Sequence, residues 1–212
     1  MKRSDALPPE FLRRMDESPD VEFYRAPRLV THIDDATIGA LTQLYRELIA
    51  PGAAVLDLMS SWVSHLPPEV VYGRVAGLGM NRIELTRNPR LSEFVVHDLN
   101  AIPELPFPDA TFDAVLNAVS VQYLTRPIEV YASVARVLKP GGLAIVAMSH
   151  RCFPTKAIAA WHALSAEDRL RLVASYFQLT GAYDPPQFLD RSPAAADPLW
   201  IVSARRLTVP AP

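Results

Sequence analysis

Two stretches of the chain decide the fold: residues 97–124, HDLNAIPELPFPDATFDAVLNAVSVQYL, and residues 136–149, RVLKPGGLAIVAMS. The apolar runs within 112–121 and 143–148 are short and bounded by turn residues, which is typical of strands buried on both faces. Between them a helix opens at Pro127 and ends at the KPGG sequence, with its apolar residues on one stripe. The pattern predicts a strand, a crossover helix and a second, parallel strand.

The same alternation extends outward from these stretches. A helix is predicted from Thr31, which has a capping-box pattern with Asp34, to the turn at Pro51 and Gly52. Further strands are predicted at 53–58, 75–80, 94–97 and 199–204, and further helices after Asn81, at 155–163 and from Ser165. Strands that alternate with helical crossovers predict an α/β fold, with a mostly parallel sheet and helices on both faces.

Prolines and chain length predict an arm, one domain and a tail. Residues 1–30 contain four prolines among mixed charges, which predicts an irregular N-terminal arm or lid outside the core. Residues 31–206 form the predicted domain, and residues 207–212 form a short tail. A chain of 212 residues has room for one full hydrophobic core, since single cores stop growing only near about 250–300 residues.

Composition and charge exclude several classes of partner. The 21 basic and 23 acidic residues leave a net charge of −2, which is too balanced for a protein that grips a phosphate backbone. The longest apolar runs are far shorter than the ~18 residues of a membrane span. The single cysteine, Cys152, cannot form an internal disulfide, and the N-terminal sequence lacks the apolar stretch of a secretory signal. We predict a cytoplasmic protein that binds neither nucleic acid nor a membrane.

Missing motifs exclude several kinds of chemistry. No GxxxxGKS or GxxxxGKT phosphate loop and no GxGxxG sequence occurs, which argues against a P-loop nucleotidase and a dinucleotide-dependent dehydrogenase. The five histidines form no HExxH pair, so we predict no metal site. The GxSxG nucleophile elbow of hydrolases is also absent.

The acidic residue in HDL, the sequence LPFPDATFDAV and the KPGG that opens a strand together resemble the class I methyltransferases that use S-adenosylmethionine. The likeness covers residues 53–206 and is greatest for the small-molecule, ubiquinone-biosynthesis-like, or type 11, branch. It implies a Rossmann-like methyltransferase fold and methyl transfer from S-adenosylmethionine to a small molecule. Two alternatives stay open: a catalytically inactive binding or regulatory protein, and another reaction on an adenosyl cofactor.

Polar residues follow the predicted strands at the sheet edge where ligands bind in such folds. The resemblance implies that Asp98 accepts a hydrogen bond from the adenine amino group, while Leu99 and Met80 pack on the ring. The alternative is that Asp98 caps the turn that follows it. The full predicted cofactor set comprises Asp57, Met59, Ser60, Ser61, Gly79, Met80, Asn81, Asp98, Leu99 and Asn117.

The chain departs from the family pattern after the first strand. Where the resemblance implies a glycine-rich loop, residues 57–62 read DLMSSW, without a glycine to ease a close backbone approach. Ser60 and Ser61 could instead offer hydroxyls to the amino-acid end of the cofactor. Gly79 stands where the family carries a carboxylate for the ribose, and Asn81 or Glu84 could substitute for it.

The acceptor side of the site has weaker signals, because methyl transfer compels no particular catalytic residue. We predict that His150, just past the fifth strand, touches the acceptor, with Tyr24 and His32 as partners from the region of the arm. The alternative is that these three side chains are merely packed or solvated. Aromatic residues alternating with Arg25 and Arg28 suit a lid over a small anionic or aromatic acceptor.

Overall fold

A seven-stranded sheet forms the centre of the computed structural model, which describes residues 7–208. Its strands are β1 Ala54–Leu58, β2 Arg74–Gly79, β3 Glu93–Val96, β4 Phe112–Ala118, β5 Leu138–Met148, β6 Gln187–Asp190 and β7 Trp200–Arg205. They lie in the order β3-β2-β1-β4-β5-β7-β6. The first five are parallel, β7 runs antiparallel to β5, and β6 runs antiparallel to β7. The predicted mostly parallel sheet is confirmed.

Helices cover both faces of this sheet. The helices are α1 Asp20–Phe23, α2 Asp35–Leu48, α3 Arg82–Arg87, α4 Pro127–Val137, α5 Ala159–Ala163 and α6 Ala166–Thr180. On one face, α2 packs Leu41 and Tyr45 against strand residues such as Val55, while α4, α5 and α6 cover the other face. Within residues 7–208, no helix is long and apolar enough to cross a membrane.

Several element bounds differ from the predicted ones. The helix predicted from Thr31 begins at Asp35, because Asp34 is the capping residue and accepts a hydrogen bond from the Thr37 backbone N–H at 2.8 Å. The helix predicted at 155–163 is only the five residues of α5. Strand β5 begins at Leu138, since its first residue already pairs with Phe112 before a bulge restores the register.

The arm is packed onto the domain rather than lying apart from it. The ammonium of Lys156, fully buried, lies 3.2 Å from the Asp16 carboxylate and 3.3 Å from that of Asp20. Arg14 also pairs with Asp20, at 2.7 Å, and Leu7 belongs to the main core. The described part of the arm is therefore fixed to the domain, and its Leu7 enters the core, although the arm was expected to lie outside it. The first six residues of the predicted arm and the last four of the predicted tail lie outside the described residues.

Candidate functional site

A cleft opens over the carboxyl ends of β1 to β4, and we call it the cleft throughout. It encloses about 1100 Å³ of space free of protein atoms, including its open mouth. The chain order of the strands reverses between β1 and β4, which is the switch point where open α/β sheets bind ligands. The loops after these four strands line the cleft, and the arm supplies a further wall that includes Asp20, Tyr24 and Arg28.

Asp57, near the end of β1, is a buried carboxylate at the base of the cleft. Its Oδ2 accepts hydrogen bonds from the hydroxyls of Ser60, at 2.5 Å, and Ser64, at 2.7 Å. Burial raises the pKa of Asp57 to about 6, and the two hydroxyl hydrogen bonds oppose this rise only in part. Asp57 therefore holds the following loop in place, and the desolvation of its carboxylate costs the folded state free energy.

The loop after β1 keeps its shape through side-chain hydrogen bonds. The amide of Asn88 donates to the Ser61 carbonyl at 2.9 Å and to the Ser64 hydroxyl at 2.8 Å. The Ser61 hydroxyl donates in turn to Oε2 of Glu84 at 2.7 Å. Asn88 was missed in the sequence, because no local pattern connects residues that lie 24 and 27 positions apart. The serines are thus bonded to the protein and leave the cleft open.

Gly79, the last residue of β2, has a steric reason to be glycine. A Cβ atom at this position would lie 2.2 Å from the Ser60 carbonyl oxygen, closer than real Cβ atoms come. The Ser60 backbone N–H also donates to the Leu78 carbonyl at 2.7 Å, so the loop after β1 crosses directly over the end of β2. A carboxylate at position 79, as in the resembling family, would not fit beneath this loop.

Asn81 and Glu84 hold the arm against the cleft. The Asn81 side-chain oxygen caps α3, as predicted, by accepting from the Ile83 and Glu84 backbone N–H groups. Its amide nitrogen donates to the carbonyls of Tyr24 and Arg25, and Oε1 of Glu84 accepts from the Arg28 backbone N–H at 2.6 Å. Both residues that were candidates for the ribose are thereby engaged in fixing the arm.

Asp98, two residues after β3, has the capping role considered for it from the sequence, and the cap uses only one of its carboxylate oxygens. Its Oδ1 caps the following turn by accepting from the backbone N–H groups of Asn100, at 2.9 Å, and Ala101, at 3.2 Å. Its Oδ2 has no hydrogen-bond partner among residues 7–208, and the residue lines the cleft beside Leu99 and Met80. One carboxylate oxygen therefore remains to accept a hydrogen bond from a ligand.

Backbone strain is concentrated around the cleft. His32, Met59, His65 and Val119 have φ angles of 66°, 57°, 52° and 49°, and all four line it. Left-handed φ values are uncommon outside glycine and are outliers for a β-branched residue such as Val119. Met59 lies in the segment where the resembling family carries glycines, so this chain adopts a glycine-like conformation with an ordinary side chain.

An aromatic wall faces the strand ends from the side of the arm. The ring of Phe153 stacks on Tyr123 with centroids 5.8 Å apart and meets His32 edge-on at 5.2 Å. Burial lowers the pKa of His32 and raises the pKa of Tyr24 and of Tyr123. These groups are therefore uncharged at neutral pH. Phe153 and Tyr123 were missed, although Tyr123 lies in the loop after β4, where strand-end reasoning could have found it.

Two residues predicted for the site do not line the cleft. His150 is exposed, and its Nε2 lies 3.3 Å from Asp197, a residue that also bonds to the capping Asp34 of α2. Its position gives no support to the predicted contact with an acceptor. Asn117 is buried beneath the cleft, where its Oδ1 accepts from the Ser120 hydroxyl at 2.7 Å.

The structure brings the other predicted residues together. Residues that line the cleft as predicted are Tyr24, His32, Asp57, Met59, Ser60, Ser61, Gly79, Met80, Asn81, Asp98 and Leu99. Their individual roles stay predictions.

Known proteins resemble the chain in both sequence and fold. Residues 72–146 match the family model of a methyltransferase domain. A demethylmenaquinone methyltransferase of Renibacterium salmoninarum is 32% identical over 140 residues, which cover 60% of this chain and 57% of that protein. The chain thus spans somewhat more than half the length of this curated relative.

Solved structures give the same picture of the fold. An S-adenosylmethionine dependent methyltransferase from Mesorhizobium loti matches with a TM-score of 0.55 and 16% identity, over 79% of this chain and 98% of that chain. The cyclase SpnF matches with a TM-score of 0.59 and 16% identity, over 80% of this chain and 81% of that chain. At this identity the likeness shows the fold alone, and it confirms the predicted Rossmann-like methyltransferase fold.

Proposed function

We propose that the chain is a class I methyltransferase of the type 11 branch and that it transfers a methyl group from S-adenosylmethionine to a small-molecule acceptor. The match of residues 72–146 to a methyltransferase domain and the 32% identical relative support this proposal. The observation that carries this proposal is the open cleft at the switch point, with the unpartnered Oδ2 of Asp98 on its wall. Fold alone would not decide the activity, since the similar SpnF structure is named a cyclase.

The residues present suit the adenosyl part of the cofactor. Oδ2 of Asp98 can accept a hydrogen bond from the adenine amino group, and Leu99 and Met80 supply apolar contact with the ring. The hydroxyl protons of Ser60 and Ser61 are already donated to Asp57 and Glu84. Their oxygens can therefore only accept, which suits the ammonium of the methionine part and not its carboxylate.

The chemistry asks mainly for alignment and a dry site. S-adenosylmethionine would supply a methyl group on a sulfonium, where in-line attack by the acceptor on the methyl carbon breaks the carbon–sulfur bond and releases S-adenosylhomocysteine. The aromatic wall of Tyr24, His32, Tyr123 and Phe153 excludes water from one side of the cleft and offers flat apolar contact to an acceptor. His32, kept neutral by its lowered pKa, can take a proton from an acceptor that must lose one.

The reading as an inactive binding protein is not favoured. It would gain support if the unusual loop after β1 filled the hollow that the cofactor needs. Ser60 and Ser61 instead turn toward Asp57 and Glu84, and the indole N–H of Trp62 donates to the Val30 carbonyl at 3.0 Å. The loop borders the cleft without closing it.

Composition supports a proposal for the class of acceptor and for the cellular location. A small acceptor, rather than nucleic acid, agrees with the net charge of −2, and a cytoplasmic location agrees with a single cysteine that cannot form an internal disulfide. Both are part of the proposal.

The direct test is binding of S-adenosylmethionine and S-adenosylhomocysteine, measured by calorimetry and by thermal unfolding. A ligand that binds the folded state at about 100 times its dissociation constant adds ~2.7 kcal/mol of stability. Asp98→Ala should abolish most of this gain. Asp109→Ala is the matched control, because Asp109 is an exposed aspartate in the loop before β4, away from the cleft. Failure of the unaltered protein to bind either compound would refute the proposal.

A further inference from the structure

Arg28 is the one lysine or arginine among the described residues that line the cleft. Its guanidinium carbon lies 4.2 Å from the ring centre of Phe23 and 5.3 Å from that of Phe153. Its Nη1 donates to the Phe23 carbonyl at 2.8 Å and more distantly, at 3.5 Å, to the Ala26 carbonyl. The aromatic faces and these carbonyls fix the plane of the guanidinium, so its remaining N–H groups point in a defined direction.

No described residue occupies the other edge of this guanidinium. Among residues 7–208, no acceptor bonds to Nε or Nη2 of Arg28, and no carboxylate lies within ion-pair distance of it. By contrast, Arg14, also in the arm, has its Nη1 2.7 Å from Oδ1 of Asp20. Nε and Nη2 carry parallel N–H groups whose spacing matches the two oxygens of a carboxylate. A partly buried charge with this edge free is suited to a carboxylate ligand.

The place of Arg28 in the cleft connects it with the loop after β1. The two carboxylate oxygens of Glu84 accept from the Arg28 backbone N–H and from the Ser61 hydroxyl, which sets these two residues side by side. In this loop, Ser60 and Ser61 line the cleft, and their hydroxyl groups already donate to Asp57 and Glu84. A ligand carboxylate near this loop therefore needs a donor from elsewhere, and Arg28 offers one.

We propose that Arg28 is a carboxylate-binding residue of the cleft, which holds its ligand by the free Nε and Nη2 edge. The inference rests on the proposed function and deepens it. A carboxylate could come from two sources, the methionine part of the cofactor or the acceptor itself. The chemistry of recognition is the same for both, and separate ligands distinguish them.

Calorimetry on Arg28→Met, Arg28→Lys and the unaltered protein tests this inference with three probes. S-adenosylhomocysteine carries the carboxylate, methylthioadenosine lacks the amino-acid part, and benzoate added to the S-adenosylhomocysteine complex represents an aromatic carboxylate acceptor. Arg25→Met is the matched control, because Arg25 is an exposed arginine of the same arm that does not line the cleft. Thermal unfolding of each variant reports whether the arm stays packed.

If the cofactor supplies the carboxylate, Arg28→Met should weaken S-adenosylhomocysteine binding by about 10- to 100-fold and leave methylthioadenosine binding unchanged. Arg28→Lys should recover only part of the loss, since an ammonium lacks the paired N–H groups. If the acceptor supplies it, S-adenosylhomocysteine binding should be unchanged, and benzoate binding should be lost in Arg28→Met alone.

Two results would overturn the inference while leaving the proposed function intact. One is equal binding of S-adenosylhomocysteine by Arg28→Met and the unaltered protein, with benzoate binding absent or unchanged. The other is an equal loss of S-adenosylhomocysteine and methylthioadenosine, which would mean that Arg28 only packs the arm. If the unaltered protein binds neither adenosyl compound, the proposed function fails, and benzoate binding to the free protein then decides the role of Arg28 separately.

Discussion

Replacing Asp57 by asparagine should stabilise the protein at neutral pH, and this gain should disappear in acid. Burial raises the folded-state pKa of Asp57 to about 6 from an ordinary value of 3.8, so folding favours the protonated carboxyl. The stability that the neutral carboxyl contributes is fully present below pH 3.8 and is lost as the pH rises through about 6. Asparagine resembles the neutral carboxyl in shape, can still accept from Ser60 and Ser64, and does not ionise.

The size of the effect follows from the two pKa values. About two pKa units separate them, and each is worth about 1.4 kcal/mol, so the ionised Asp57 costs the folded state ~3 kcal/mol above about pH 6. The difference in unfolding free energy between Asp57→Asn and the unaltered protein should therefore be near zero at about pH 4 and approach this value at about pH 8. Other groups titrate in both proteins, and their contributions cancel in this difference.

Urea unfolding, followed by circular dichroism across this pH range, measures the difference directly. Asp113→Asn is the matched control, because the Asp113 carboxylate accepts from the ammonium of Lys139 at 2.9 Å and its pKa is lowered. Its contribution to stability has the opposite sign: it is present above the ordinary pKa and is lost in acid. A difference for Asp57→Asn that does not change with pH, or that grows in acid, would refute the reasoning.

Gly79→Ala should destabilise the protein by about 1–3 kcal/mol in urea unfolding, because its Cβ would collide with the Ser60 carbonyl. Gly39→Ala in α2 should stabilise it by about 0.5–1 kcal/mol, because a Cβ there meets no other atom and alanine favours a helix. Equal effects at the two glycines would contradict the steric explanation. Lys156→Met should cost about 1–3 kcal/mol and expose the arm to proteolysis, because it removes the buried ammonium that donates to the Ser18 carbonyl and pairs with Asp20, which keeps only Arg14 as its cation. Lys139→Met, at a half-exposed ion pair, should cost less than about 1 kcal/mol, and a similar loss in both lysine variants would count against the buried network.

The sheet could be predicted because its information is local. Strands β1 and β5 are apolar runs buried on both faces, and such runs indicate strands without knowledge of their partners. Strand β6 was missed, since it has four residues that are mostly exposed and lie at the sheet edge. It forms a strand only because it pairs with β7, whose first residue, Trp200, lies thirteen positions after Gln187. The sequence pattern does not show that pairing.

The site could be predicted where it depends on strand ends and not where it depends on long-range packing. Asp57 is the second-last residue of β1 and Asp98 lies two residues after β3, and the parallel topology brings both to one edge. His150 follows β5 in the same way, but β5 lies next to the antiparallel β7, and the chain leading into β7 brings Asp197 to His150, outside the cleft. Contacts such as Arg28 with Glu84 join residues 56 positions apart and leave no local pattern.

The glycine-free loop is best understood as a different way to hold the same turn. A left-handed backbone conformation costs about 1–2 kcal/mol for a residue other than glycine, and Met59 adopts this conformation. Hydrogen bonds to a charged group each contribute about 1.5–3 kcal/mol, and Asp57 accepts two of them from Ser60 and Ser64 within the same turn. These hydrogen bonds offset only part of the cost of burying Asp57, so the loop gains no net stability from them at neutral pH, but they remove the freedom that glycines would give. A loop fixed in this way can serve a rigid, preorganised binding site.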